Sequence, residues 1–411
     1  MAQIAKQAGK KLRPHIKTHK IPAIAKMQLE AGAAGITCAK ISEAEVMAQY
    51  GAKDILLAFP TVGEAQVERI LNLSRDCSVS VAFDSVYGAE RLHEAAKKRG
   101  VVIPLYMIIN TGDNRDGVAS EREALELAQS ISLFDHVRLK GIMTHEGHVN
   151  LAKDTEQIVR TATAAGLMMV GIADMLRQHG FNIEEVSTGT TPACRAGVAV
   201  EGVTEWRPGT YVFNDVREMQ LATPMAECAF SILATVVSRP AAERLILDTG
   251  SKSLTSDIST SPGYGYIKQA PSAVIERLSE EHGMVKVHHT EDLQIGQRVE
   301  IIPNHVCPVV NLMDRVFVVR NDEVIDEWKV EAAGKSFKKD RKIHGGNMMY
   351  DILIQGGLVV DGSGAPGYHA DVAIKDGLIR SIGILKKRSS EAGDSSGSAC
   401  CCPRFYRYPH T

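Results

Sequence analysis

Short apolar runs alternate with amphipathic stretches through the first half of the chain. Leu12–Ile16 leads to a helical pattern over Pro22–Ala31, where Pro22 suits a first helical position. Gly35–Ala39 leads to a helix over Ser42–Tyr50, with Ser42 and Glu45 placed as a capping box. The alternation continues through Asp54–Ala58 with Val62–Leu73, Val79–Phe83 with Val86–Arg99, and Ile103–Ile109 with Glu121–Ile131. Val137–Met143 precedes a long helix around Asp154–His179, and the runs Glu185–Ser187 and Tyr211–Phe213 complete the series. Continuous apolar strands separated by helices predict a parallel sheet covered on both faces. The number and spacing of the units favour a (β/α)8 barrel over residues 1–225, with an open doubly wound sheet as the alternative.

Beyond residue 225 the apolar period shortens to two. Ser231–Val237, Arg244–Asp248, Gly283–His288, Arg298–Ile302, Arg315–Arg320 and Glu323–Val330 predict an antiparallel β-domain over 226–335. A break falls at Lys335–Asn347 (KSFKKDRKIHGGN), and a polar linker is expected over 336–348. A strand-like segment with Gly-rich turns follows at 349–384. The stretch 385–411 is poor in apolar residues and is expected to be disordered.

Composition narrows the function. The 411 residues are 44% hydrophobic and 23% charged, with a formal net charge of -2. No broad basic field exists for nucleic acid or a membrane surface. No run of 18 apolar residues is present, so no transmembrane helix is expected. The opening MAQIAKQAGKKL lacks the apolar stretch of a secretory signal. Of eight cysteines, Cys400, Cys401 and Cys402 are adjacent and the others scattered, which is no disulfide framework and fits a reducing cytoplasm.

Against this balance RPHIKTHK, residues 13–20, concentrates Arg13, His15, Lys17, His19 and Lys20. Functional groups of a barrel gather at the C-terminal ends of its strands, and Lys17 falls at the end of the first. Apolar walls and neighbouring cations there disfavour an ammonium and leave an amine able to form a Schiff base. A solvated basic turn is the alternative, and His15 alone equally suits a core or capping histidine. STGTTP (Ser187–Pro192) and RPGTY (Arg207–Tyr211) offer free amides and threonine hydroxyls that suit a phosphate dianion. With Lys17 they suggest a cofactor bearing a phosphate and an aldehyde. In PNHVCPVVN (Pro303–Asn311), His305 and Cys307 are two apart, so on a strand they share a face and suit zinc. A buried cysteine beside a chance histidine is the alternative. Further polar candidates are THEGH (Thr144–His148), Arg115 in NTGDNRDG, and DTGSKSLTSD (Asp248–Asp257), whose start also reads as a β-turn.

In this order RPHIKTHK, STGTTP, RPGTYVFND, DTGSKSLTSD, SEEHG and PNHVCP resemble the D-threonine aldolase / D-serine dehydratase family, from about Lys10 to Lys335. The resemblance implies a pyridoxal-phosphate enzyme with an alanine-racemase-type barrel and a β-domain. It implies that Lys17 holds the cofactor and that Thr190, Thr191, Gly209 and Thr210 cup its phosphate. His305 and Cys307 would hold a divalent metal: zinc in dehydratases, manganese or magnesium in aldolases. Arg115, His15 and Tyr211 are expected beside the cofactor, and His145 in catalysis. The implied substrate is a small D-β-hydroxy-α-amino acid, cleaved to glycine and an aldehyde or dehydrated to a keto acid and ammonia; the aldolase is preferred. A non-catalytic cofactor-binding barrel, an inactive relic and a racemase are the rivals. A homodimer is expected.

Two departures stand out. Family members carry a longer stretch before RPHIKTHK, including a strand of the β-domain. Met349–Gly383 resembles the opening of N-acyl-D-amino-acid deacylases and stops before any His-x-His metal motif. The expectation is a fusion or read-through of neighbouring genes, with no deacylase activity.

Overall fold

Eight short strands alternate with helices along the first half of the chain: β1 (Lys11–Leu12), β2 (Ile36–Cys38), β3 (Asp54–Leu57), β4 (Ser78–Phe83), β5 (Ile103–Ile108), β6 (Val137–Met143), β7 (Glu185–Thr188) and β8 (Glu205–Trp206). In the computed structural model they form one parallel sheet ordered β1-β8-β7-β6-β5-β4-β3-β2. The sheet's ends meet just past β1, where His15 bridges Thr37 in parallel and the Thr37 N–H donates to Pro14 O at 2.8 Å. The described residues are 1–221, 223–287, 293–334, 352–360, 367–375, 378–383, 393–394 and 400–401. The expected linker at 336–348 lies outside them.

The helices are α1 (Ala2–Gln7), α2 (Pro22–Glu30), α3 (Ile41–Gln49), α4 (Glu64–Leu73), α5 (Val86–Lys97), α6 (Glu121–Ile131), α7 (Thr155–Gln178), α8 (Thr191–Arg195) and α9 (Val216–Leu221). Period-two alternation divides the strands' side chains. Ile55, Leu57, Val81, Phe83, Leu105 and Met107 pack with helix residues, whereas Leu56, Ala82, Tyr106, Ile108 and Met143 form a separate cluster. Helix α7 is long and apolar enough to cross a membrane by length and composition alone. Here Ile158, Met169, Ile172 and Leu176 bury its inner face.

Two local expectations are corrected. The last barrel strand is Glu205–Trp206, and Tyr211 and Val212 of the expected run Tyr211–Phe213 belong to a 3-10 turn, Thr210–Val212. Glu205 breaks the apolar signal of the true strand, while Pro208, which has no N–H, ends the ladder. At α3 the cap is Glu43, whose carboxylate accepts from Ala39 N at 2.7 Å and Lys40 N at 3.3 Å. Glu45 instead pairs with Arg69 at 2.9 Å.

The second half holds α10 (Ser251–Leu254) and strands β9 (Ile232–Ala241), β10 (Arg244–Leu247), β11 (Tyr266–Ile267), β12 (Val274–Leu278), β13 (Gly283–Lys286) and β14 (Arg298–Ile302). They pair antiparallel in the order β11-β14-β9-β10-β13-β12 over a core that includes Val236, Leu245, Leu247, Ile275, Val285 and Ile301. β11 and β12 were not legible in the apolar pattern. After β14 comes helix α11 (Val306–Leu312), then a hairpin of β15 (Arg315–Arg320) and β16 (Glu323–Lys329).

The segment bearing His305 and Cys307 is therefore not a strand. Val306, Val309 and Val310 follow the helical spacing i, i+3, i+4 and pack with Ile21, Ile24 and Phe213, and this burial overrides the valines' β preference. Pro308 sits in the first turn, where no intrahelical acceptor awaits its missing N–H.

Two compact units divide at Lys338/Lys339. In the second, β17 (Ile352–Val359), β18 (Tyr368–Lys375) and β19 (Leu378–Gly383) form an antiparallel meander. Of the tail expected to be disordered, Gly393–Asp394 and Cys400–Cys401 are described, both pairing parallel with β17.

Candidate active site

Each basic residue of RPHIKTHK goes to a different place. Arg13 is 3% exposed, with Nη1 2.6 Å from Asp54 Oδ1 and Nε 2.6 Å from Glu205 Oε2. His19 is fully buried and its Nδ1 accepts from Ile21 N at 3.0 Å. Lys20 takes a left-handed conformation, φ 55°, and its Nζ reaches Asn311 Oδ1 at 2.6 Å and Glu43 Oε1 at 3.3 Å. These contacts hold the strained residue that ends the turn. His15 and Lys17 remain at the rim. Lys17 is not on the strand itself but on a 3-10 turn, Ile16–Thr18, just beyond it.

Around Lys17 gather other cations. Burial first, then the charges of Lys17, Arg115, Arg207 and His148, push His145 from its ordinary 6.5 down to about 3. Burial, followed by Lys17, Arg207, His145 and Arg115, drives His15 well below the same value. One set of positive groups acts on both rings, so both imidazoles stay neutral at neutral pH. Arg115 is half exposed, and its loop supplies Asp116 at 3.2 Å and Asp113 at 3.8 Å as partners.

The two Gly/Thr loops meet beside this turn. Thr191 Oγ1 accepts from Tyr211 N at 3.1 Å, tying one loop to the other. Thr210 O accepts from Phe213 N at 3.0 Å and Asn214 N at 2.7 Å. A Cβ on Gly209 would stand 3.1 Å from both His15 O and Thr18 Oγ1, so glycine lets this loop lie against the lysine turn. Burial raises the Tyr211 phenol to about 12, and its oxygen accepts from Gln28 Nε2 at 2.9 Å. The buried Thr190 hydroxyl has no protein partner. An orphaned hydroxyl and a glycine cradle fit a phosphate. One expectation changes: the amides of Gly189 and Thr190 are not free, because both donate to Glu146.

Beneath the rim lies a network the sequence left unassigned. Arg207 is buried, donating through Nη1 to Ser187 Oγ and through Nη2 to Thr144 O at 2.5 Å. Ser187 Oγ donates to Glu205 Oε1 at 2.6 Å, which leads on to Arg13. Arg207 and Glu205 interrupting an apolar pattern were the available signal. A charge in a closed lumen needs a partner.

On the β-domain side, Cys307 Sγ is 3.3 Å from Thr18 Oγ1, next to Lys17. His305 caps α11 and its Nδ1 lies 2.7 Å from Asp257 Oδ2, with Arg217 Nη1 at 3.2 Å. Asp257 was visible only as the end of DTGSKSLTSD. A carboxylate on Nδ1 orients the ring and leaves Nε2 for a ligand. Burial opposes ionisation of the Cys307 thiol, but His305, Thr18 and Lys17 outweigh it and hold the group below its usual range. Thiolate and imidazole together suit a divalent cation. Among the described residues no cluster of three or more His, Cys, Asp or Glu could hold a metal.

The sequence matches the alanine racemase N-terminal domain over residues 1–216 and the putative serine dehydratase domain over 229–319. It is 32% identical to the D-threonine aldolase of Arthrobacter sp over 329 residues, 79% of this chain and 86% of that protein. It is 31% identical to the D-threo-3-hydroxyaspartate dehydratase of Delftia sp. (strain HT23) over 349 residues, 80% of this chain and 92% of that protein. A cysteine-to-alanine mutant of a D-threo-3-hydroxyaspartate dehydratase, 28% identical and covering 80% of this chain and 92% of that one with a TM-score of 0.75, is described in a metal-free form. The crystal structure of D-threonine aldolase from Filomicrobium marinum superposes with a TM-score of 0.76 at 30% identity, covering 82% of this chain and 92% of that one. Both domain matches end by residue 319, and the deacylase-like stretch remains an expectation from sequence. The chain belongs to the alanine-racemase-fold family of D-threonine aldolases and D-serine dehydratases.

Proposed function

We propose that this chain is a pyridoxal-phosphate- and metal-dependent lyase that cleaves D-threonine-like β-hydroxy-α-amino acids to glycine and an aldehyde. The observation that supports it most is the lysine turn itself: Lys17 stands between the cation-lined rim and Cys307, which touches Thr18 at 3.3 Å. Lys17 would hold pyridoxal phosphate, with Thr190, Thr191, Gly209 and Thr210 at its phosphate, and His305 and Cys307 would hold a divalent metal; the first would supply an electron sink for Cα and the second a Lewis acid for the β-oxygen.

The protein's own groups supply the proton movements. His145, neutral above about pH 3, takes the β-hydroxyl proton on a ring nitrogen. That O–H electron pair becomes the aldehyde carbonyl as the Cα–Cβ bond breaks. Lys17, as its ammonium, would deliver the proton that Cα gains. Arg115 and His15 keep the rim positive for the substrate carboxylate, and Tyr211 borders the cofactor. Zinc, manganese or magnesium suits the pair; a homodimer is proposed on resemblance alone, and a reducing cytoplasm on the scattered cysteines.

A second reading, D-serine dehydration, is favoured by the serine-dehydratase match over 229–319. There Lys17 removes the α-proton, and hydroxide leaves from Cβ. The first experiment is the visible absorption spectrum of the purified protein with pyridoxal phosphate, beside Lys17→Ala. A band in the parent that the variant lacks is expected; no band from soluble parent protein overturns the proposal. Acetaldehyde from D-threonine, against pyruvate from D-serine, then separates the two reactions.

A further inference from the structure

Glu146 is the residue for which the proposed chemistry has no use. It follows His145, is 2% exposed, and burial raises its carboxyl. Its Oε1 accepts from Gly189 N at 2.9 Å and from Thr190 N at 2.9 Å, with Oε2 3.2 Å from Gly189 N. Around the carboxylate lie Ala162, Gly166, Ala193, Cys194 and Val200, an apolar wall behind the loop. Burying a carboxylate there is costly unless its hydrogen bonds are needed. The two amides it grips turn the chain from β7 into α8, where Gly189 has φ +112°. Arg207 ties the same two segments a second time, through Thr144 O and Ser187 Oγ.

We propose that Glu146 is a positioning residue for the phosphate of the cofactor: by holding the Gly189 and Thr190 amides from behind, it fixes the loop so that the Thr190 hydroxyl faces the phosphate. The claim rests on the phosphate cup proposed above. It predicts a defect that depends on the phosphate group, because the aldehyde is taken by Lys17, on the 3-10 turn beyond β1. Oε1 alone meets both amides, so glutamine preserves the grip and alanine abolishes it.

The test titrates the whole protein with pyridoxal phosphate and with pyridoxal, which lacks the phosphate, reading the absorption band. Glu146→Ala should bind pyridoxal phosphate about tenfold or more weakly while its pyridoxal affinity stays within about twofold. Glu146→Gln should return to within about threefold of the parent. If alanine does not fold, Glu146→Asp, one methylene short of the amides, repeats the comparison with the charge kept. Equal loss for both ligands, no loss, or a glutamine variant as weak as alanine each overturns the proposal. A parent that binds neither ligand overturns the cofactor assignment beneath it.

Discussion

The Thr18 hydroxyl and the Cys307 thiol stand 3.3 Å apart although 289 positions separate them in the chain. One belongs to the turn that presents Lys17, the other to the helix of the proposed metal pair. The contact brings the proposed cofactor and metal residues together. It makes Thr18 a support for the thiolate. Thr18→Val keeps the bulk and removes the hydroxyl, so metal affinity should fall about tenfold. Dialysis against graded chelator, followed by metal analysis, measures this; unchanged retention would count against a metal role for Cys307.

The lumen network makes a stability prediction. Glu205 is fully buried between Ser187 and Arg13. Glu205→Gln leaves Arg13 with only Asp54, whose side chain is 35% exposed. Removing one partner of a buried ion pair costs about 3–5 kcal/mol. Urea unfolding should show a loss of that order, while Asp54→Asn should cost less.

Stability should also depend on pH, with two opposed limbs. Unfolded, His19 and His145 gain protons near 6.5; folded, burial delays this to about 4 and about 3. The unfolded state binds more protons in between, so stability present above pH 6.5 is lost as the pH falls through those values. Glu218 acts in reverse, because burial, then Asp215, lift it from 4.5 to about 8. Stability present below pH 4.5 is lost as the pH rises toward 8. Urea midpoints of the cofactor-free protein should fall at both ends of the range, and Glu218→Gln should flatten the alkaline limb.

Gly189→Ala tests the loop that Glu146 holds. The residue has φ +112°, and a Cβ would meet Arg207 N at 2.9 Å. Strain of this kind costs on the order of 1–3 kcal/mol. A lower melting temperature is expected, together with weaker pyridoxal phosphate binding.

The barrel was legible because parallel strands buried on both faces must be continuously apolar, and most did appear so. The run over Val137–Met143 predicted a strand with the bounds observed, and Glu121–Ile131 a helix. The reading missed β8, whose Glu205 points its charge into a lumen no local pattern reveals. It also took His305 and Cys307 for neighbours on a strand, since three valines look like β-sheet until Ile21 and Phe213 are found waiting for a helical face.

The sequence by itself determined the alternation of strand and helix, the concentration of basic groups at residues 13–20, and the residue types for a phosphate, an aldehyde and a metal. Only the tertiary structure decided how those groups divide. Arg13 went to the lumen, His19 to the core and Lys20 to a clamp on α11, which leaves His15 and Lys17 at the rim. It alone brought Asp257 to His305 and Glu146 to the Gly189 loop. Such pairings depend on distances across the closed barrel and between its rim and the β-domain, and spacing along the chain does not encode them.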